Sequence, residues 1–174
     1  MCEYCGCLNI DVIAELTAEH DRLRELGRHL QDAAASGDLL AARAAADAMR
    51  AVLTPHITVE ERGLFPLLAS DYPDQMDALT ADHRTIDEAL STIGDAPDWQ
   101  HIALAAVDSL FEHILREQDG VFPAALATLT ADGWDEIAAV RRRAGRRSPE
   151  ADGGCHFVDL VNSAGIPQEI RYRS

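Results

Sequence analysis

One pattern occurs twice in this chain. His56-Ile57-Thr58-Val59-Glu60-Glu61-Arg62-Gly63-Leu64-Phe65-Pro66 returns as His113-Ile114-Leu115-Arg116-Glu117-Gln118-Asp119-Gly120-Val121-Phe122-Pro123. Both copies read His-Ile-x-x-Glu-x-x-Gly-x-Phe-Pro. On a helix, residues four apart share a face, one turn apart, so each copy sets an imidazole beside a carboxylate and aims both the same way. A second repeat precedes each copy: Leu16-Thr17-Ala18-Glu19-His20 returns as Leu79-Thr80-Ala81-Asp82-His83. The chain reads as a tandem duplication, each half giving one lone His and then one His-x-x-x-Glu.

Composition narrows the fold around that pattern. A chain of 174 residues fits one domain and can bury a core. It is rich in Ala, Leu and Arg and only 5% aromatic, which favours an all-helical protein. The formal net charge of −15 argues against nucleic acid or an anionic membrane surface as partner. No apolar run approaches membrane-spanning length, and the N-terminus has no basic segment leading into an apolar one. The expected location is therefore cytoplasmic. The four cysteines then read as thiols or metal ligands rather than structural disulfides.

Along the chain, residues 1–9 form a cysteine-rich lead-in and 10–130 a four-helix unit. The first predicted helix, from about Ile10 to Ala35, carries Ile13, Leu16, His20, Leu23, Gly27 and Leu30 at alternating spacings of three and four. Ser36-Gly37-Asp38 is a turn with a helix-capping residue. The second helix starts near Leu39, with Ala42, Ala46, Met49, Leu53, His56 and Glu60 on one face, and continues towards Ser70. The third, about Asp74 to Ile93, repeats the first with Met76, Leu79, His83, Ile86, Leu90 and Ile93. The fourth, about Trp99 to Leu129, turns Ala106, Leu110, His113, Glu117 and Val121 inward. Residues 131–147 hold a shorter amphipathic helix, about Trp134 to Ala144, and 148–174 a tail with strand-like patterning, extended or a hairpin.

Helices joined by short turns make an antiparallel up-down bundle with an internal pseudo-twofold repeat. His20 lies about 17 residues before the first turn and His56 about 19 after it, roughly 26 and 28 Å at 1.5 Å per residue. The same reckoning levels Glu60 with His83, and His113 falls close by. Six polar groups should meet in one layer of the core. Any one of these histidines alone reads as a hydrogen-bonded core residue. Four imidazoles and two carboxylates together do not, because a buried carboxylate without a partner costs several kcal/mol. A pair of metal ions supplies the missing positive charge. Nitrogen and carboxylate donors without cysteine suit iron, with manganese as runner-up, and structural zinc would favour a closed tetrahedral site.

The pattern His20, His56-x-x-x-Glu60, His83, His113-x-x-x-Glu117, with Phe-Pro after each pair, resembles the hemerythrin-like (HHE cation-binding) family over about residues 10 to 130. The resemblance implies a four-helix bundle around a non-haem di-iron centre that meets oxygen, peroxide or nitric oxide. It casts His20, His56, His83 and His113 as terminal ligands and Glu60 and Glu117 as bridging carboxylates. One feature departs. Oxygen-carrying hemerythrins have a fifth histidine one turn before or after the histidine of the third helix; those positions are Leu79 and Asp87 here. Leu79 and its repeat mate Leu16 are expected to wall the site, with Phe65 and Phe122 packed around it.

Other residues carry weaker signals. Pro66 and Pro123 should either kink their helices just past the metal layer or begin new ones. His29 and His101 point away from the histidine faces and should be exposed. Cys2, Cys5, Cys7, Cys155 and His156 read either as a second site, zinc or redox, or as free thiols on frayed ends. Three functions compete: a redox protein consuming peroxide or reacting with oxygen or nitric oxide, a sensor of oxygen or iron that signals through its tail, and an iron donor for iron–sulfur cluster repair. A protein partner or homodimer has no support in the sequence.

Overall fold

The computed structural model describes residues 10–145; the cysteine-rich lead-in and the predicted tail, with Cys2, Cys5, Cys7, Cys155 and His156, lie outside them. The described chain is helical throughout, with no strand. Its elements are α1 (Asp11–Ser36), α2 (Leu39–Val59), a π-helical segment π1 (Glu60–Leu64), α3 (Phe65–Leu68), α4 (Pro73–Ser91), α5 (Trp99–Arg116), a second π-helical segment π2 (Glu117–Val121), α6 (Phe122–Thr128) and α7 (Ala131–Gly145). No helix among the described residues is long and apolar enough to cross a membrane.

The four predicted seams all face inward: every position named for them above is buried. The connections are tight because their residues meet specific backbone demands. At the end of α1, Gly37 takes a left-handed φ of 73°. Asp38 N–H reaches the Ala33 carbonyl at 3.0 Å and Gly37 N–H that of Ala34 at 3.3 Å, which satisfies the last turn. Asp38 then caps α2, its Oδ1 accepting from Ala41 N–H at 3.0 Å. Pro73 opens α4, where its missing N–H costs nothing.

Pro66 and Pro123 stand in the first turn of α3 and α6, each of which follows its π segment without a break in the helical backbone. A proline in a helix lacks one N–H and crowds the carbonyl four residues back. Here one wider turn absorbs both problems: Phe65 N–H bonds back to the Glu60 carbonyl, and Phe122 N–H to that of Glu117, five residues each. Each π segment therefore begins on one of the two repeated glutamates.

The interior has two apolar clusters. One holds Leu23, Leu30, Met49, Leu90 and Leu110, towards the α1–α2 and α4–α5 turns; the other holds Ile13, Leu16, Leu64, Leu79 and Phe122. The histidine–glutamate layer separates them along the helices. α7 packs across α1, α2 and π1 through Ile137, Val140 and Ala144. Its close approach is licensed by Gly63: a Cβ there would meet Ile137 Cγ2 at 3.3 Å and Val140 Cβ at 3.5 Å. The repeat mate Gly120 has nothing among the described residues within 4 Å of such a Cβ, and no described helix covers it.

Candidate metal centre

All six repeated residues meet in the core, none more than 2% exposed. α1 brings His20, α2 His56, π1 Glu60, α4 His83, α5 His113 and π2 Glu117. The histidines form two pairs. His20 Nε2 lies 3.1 Å from His56 Nε2, and His83 Nε2 lies 2.9 Å from His113 Nε2. Each glutamate spans both pairs. Glu60 sets Oε1 3.2 Å from His56 Nε2 and Oε2 3.3 Å from His83 Nε2. Glu117 sets Oε2 3.1 Å from His20 Nε2 and Oε1 3.0 Å from His113 Nε2. Two groups result, His20–His56–Glu60–Glu117 and Glu60–His83–His113–Glu117, in each of which one donor atom per residue lies within 4.8 Å of every other.

The histidine pairs meet at hydrogen-bond distance, but the glutamate contacts, though close, are not hydrogen bonds. Among the described residues, none of the four carboxylate oxygens has a partner in hydrogen-bond geometry. Lone pairs of nitrogen and oxygen converge on two shared points, an arrangement a cation satisfies. Burial pushes the Glu60 carboxyl up, yet the His56 and His83 imidazoles hold it well below the usual range. Glu117 is lowered as well, with burial and the charge of Glu60 opposing His113 and His20. Burial pulls His56 down, but the nearby charge of Glu60 and the hydrogen bond to Glu19 outweigh it and lift it to about 10. His113 is raised against the same burial, chiefly by Glu117. The residues thus fit a divalent cation in each group: two carboxylates held as anions, and imidazoles with Nε2 aimed inward.

The outer ring nitrogens explain that aim. His56 Nδ1 pairs with Glu19 Oε2 at 2.9 Å, His83 Nδ1 with Glu61 Oε1 at 3.0 Å, and His113 Nδ1 with Asp82 Oδ2 at 3.4 Å. Donating Nδ1–H to a carboxylate leaves Nε2 as the free lone pair and strengthens it as a donor. Arginines fix two of these carboxylates in turn. Arg141 of α7 grips Glu19 with both Nη groups and Glu15 through Nε at 2.8 Å, and Arg116 pairs with Asp82. The Phe of each Phe-Pro lies flat on a histidine: Phe122 on His20 at 5.6 Å between centroids, Phe65 on His83 at 5.7 Å.

The sequence reading did not single out Glu19, Asp82, Glu61 or Arg141. A signal existed for the first two, which occupy the same place in the Leu-Thr-Ala-(Glu/Asp)-His repeat. Each sits beside a lone histidine and serves the histidine of the neighbouring helix. Nothing in the sequence marks Arg141, whose role depends on where α7 docks. Leu16 and Leu79 are buried one turn before His20 and His83. Asp87 lies off the layer and pairs with Arg50 at 2.8 Å. His29 and His101 are exposed.

Comparison with known proteins agrees with this geometry. Neither a search of curated proteins nor one of solved structures finds a match to the chain. A family profile does: the hemerythrin HHE cation binding domain matches residues 11–125, from the first residue of α1 into α6. That span takes in all six residues of the layer and both Phe-Pro turns. With two histidine–glutamate groups able to hold metal inside it, the chain belongs to the hemerythrin HHE cation-binding family.

Proposed function

We propose that this protein holds two iron ions between His20, His56, His83 and His113, shared by Glu60 and Glu117, and reacts there with peroxide, oxygen or nitric oxide. The observation that carries this reading is the donor set. Each group offers two imidazole nitrogens and two carboxylate oxygens, with no thiolate, and both carboxylates belong to both groups. Such donors suit iron, with manganese second. Bound iron supplies one-electron chemistry and Lewis acidity towards a small oxygen ligand.

The protein's own residues set the conditions. Glu60 and Glu117 fix the separation of the two positions by spanning them. Glu19, Glu61 and Asp82 hold three histidines in the tautomer that binds through Nε2. Leu16, Leu79, Phe65 and Phe122 keep bulk water out. Leu79 stands where oxygen carriers place a ligand histidine, so two residues per metal are left to imidazole and open positions remain for an incoming molecule. That favours turnover over reversible carriage. The test is to load the protein with Fe(II) without air, add oxygen, and follow the visible spectrum alongside peroxide consumption. Peroxide loss with no long-lived oxygenated form is expected. An adduct that releases oxygen under vacuum, with no peroxide consumed, sinks the reading.

A second reading, sensing, draws on Arg141. Through Glu19 it ties α7 to His56, so occupancy of the centre has a mechanical path to the helix that precedes residues 146–174. Amide hydrogen exchange measured with and without metal tests it. Slower exchange in α7 on loading, abolished in Arg141→Ala, is expected if the path is used; unchanged exchange in α7 rules it out.

A further inference from the structure

The repeat makes the two metal groups near copies, and one substitution breaks the copy. His56 with Glu19 has its counterpart in His113 with Asp82. His83 with Glu61 should have its counterpart in His20 with residue 118, because Glu61 follows Glu60 as residue 118 follows Glu117. That residue is Gln118. The consequence is visible in the side chains. His20 Nδ1 is buried and has no hydrogen-bond partner among the described residues. Gln118 is itself buried, and its Nε2 likewise has none. Its Oε1, the one atom able to accept from an imidazole N–H, is taken by Arg24 Nη2 at 2.8 Å. Turning the amide over would set its NH2 group against that guanidinium.

We propose that Gln118 makes the two metal positions unequal, so that the His83–His113 group binds its metal first and tightly and the His20–His56 group binds second and weakly. The argument rests on the metal-centre reading above. Both groups share the same two glutamates, so the bridging oxygens cannot distinguish them. The difference lies in the imidazoles. In the His83–His113 group both rings face a carboxylate through Nδ1; in the other group only His56 does. A carboxylate behind a ligand histidine raises its basicity and fixes its ring, and losing one typically costs about 10–100-fold in metal affinity. Gln118 is a positioning residue in this account, acting on the metal through His20. The chain therefore has a stable one-metal state with the His20 side unfilled, and the metal exchanged with solvent is the one on that side.

The test is anaerobic titration of metal-free protein with Co(II), followed by calorimetry and by cobalt visible absorption. Wild type should take two equivalents with affinities separated by about 10–100-fold. Gln118→Glu, which offers His20 a carboxylate that Arg24 can still hold, should tighten the weaker event by that factor and leave the stronger one in place. Glu61→Gln should weaken the stronger event and bring the two together. A merely structural role predicts no gain from Gln118→Glu, and the Glu61→Gln arm stands even if that variant folds poorly. Two equal affinities in wild type, or tightening of the stronger event by Gln118→Glu, overturn the proposal. Failure of all variants and wild type to bind cobalt overturns the metal-centre reading itself and this inference with it.

Discussion

At the residue scale the centre depends on Glu60 and Glu117 more than on any one histidine. Each is a buried anion spanning both histidine pairs, and removing either leaves the two proposed cations with less charge to hold them. Glu60→Ala and Glu117→Ala should each lose metal, retaining fewer than two ions per chain by elemental analysis after desalting. Removing one partner from a buried ion cluster destabilises by about 3–5 kcal/mol, so both variants should also melt well below wild type. His29→Ala and His101→Ala should keep full metal content, since both side chains are exposed. The clustering of these six side chains was legible in the sequence because helical spacing alone puts His and Glu four apart on one face, and the duplication repeats the statement. The carboxylates behind the histidines were not, because each reaches across to a different helix, and register between helices is set by packing that no spacing rule encodes.

At the element scale the two halves differ in what covers their π segments. α7 lies over Gly63 with a Cβ-sized gap already closed, whereas Gly120 faces open space. Gly63→Val should push α7 away and cost about 1–3 kcal/mol, as overpacking does. Gly120→Ala should be neutral or stabilise by about 0.5–1 kcal/mol, because a helical glycine gives up backbone entropy that alanine does not. Chemical denaturation of both variants checks the contrast; equal destabilisation would mean that α7 does not pack on π1. The sequence pointed to both prolines as sites of trouble for the helix. It did not reveal that a single wider turn resolves each, because that outcome depends on the whole helix continuing to find its packing partners on both sides of the proline.

At the scale of the whole molecule, the buried charges link stability to pH and metal. In metal-free protein His56 holds its proton more tightly folded than unfolded. Its contribution is complete below the ordinary value of 6.5 and is lost as pH rises towards about 10. His113 acts in the same direction. Glu60 and Glu117 are lowered, so their contribution is present above 4.5 and is lost as pH falls through their folded values. Metal-free protein should therefore melt at progressively lower temperature from pH 7 to pH 10. Metal replaces those protons, so loaded protein should hold its melting temperature over the same range, and loading at pH 7 should release protons, seen as a calorimetric heat that varies with the buffer. Identical pH profiles for the two forms would mean that metal does not displace these protons.

The face of the second half that no described helix covers has a consequence for traffic. Between α4 and the α5–π2–α6 run lies a largely apolar groove of about 510 Å³, lined by Leu68, Met76, Leu79, Gly120, Val121 and others, with Arg116 among them. Its counterpart in the first half is filled by α7. Leu16 is accordingly sealed under that helix while its repeat mate Leu79 forms groove wall, one turn from His83. Among the described residues, then, one of the two equivalent grooves is filled and the other is open, and Leu79 stands in the wall of the open one. A small apolar molecule such as dioxygen should enter past it. Leu79→Ala should speed, and Leu79→Trp slow, the rate at which the reduced, iron-loaded protein reacts with oxygen in stopped flow, whereas Leu16→Ala should leave that rate unchanged.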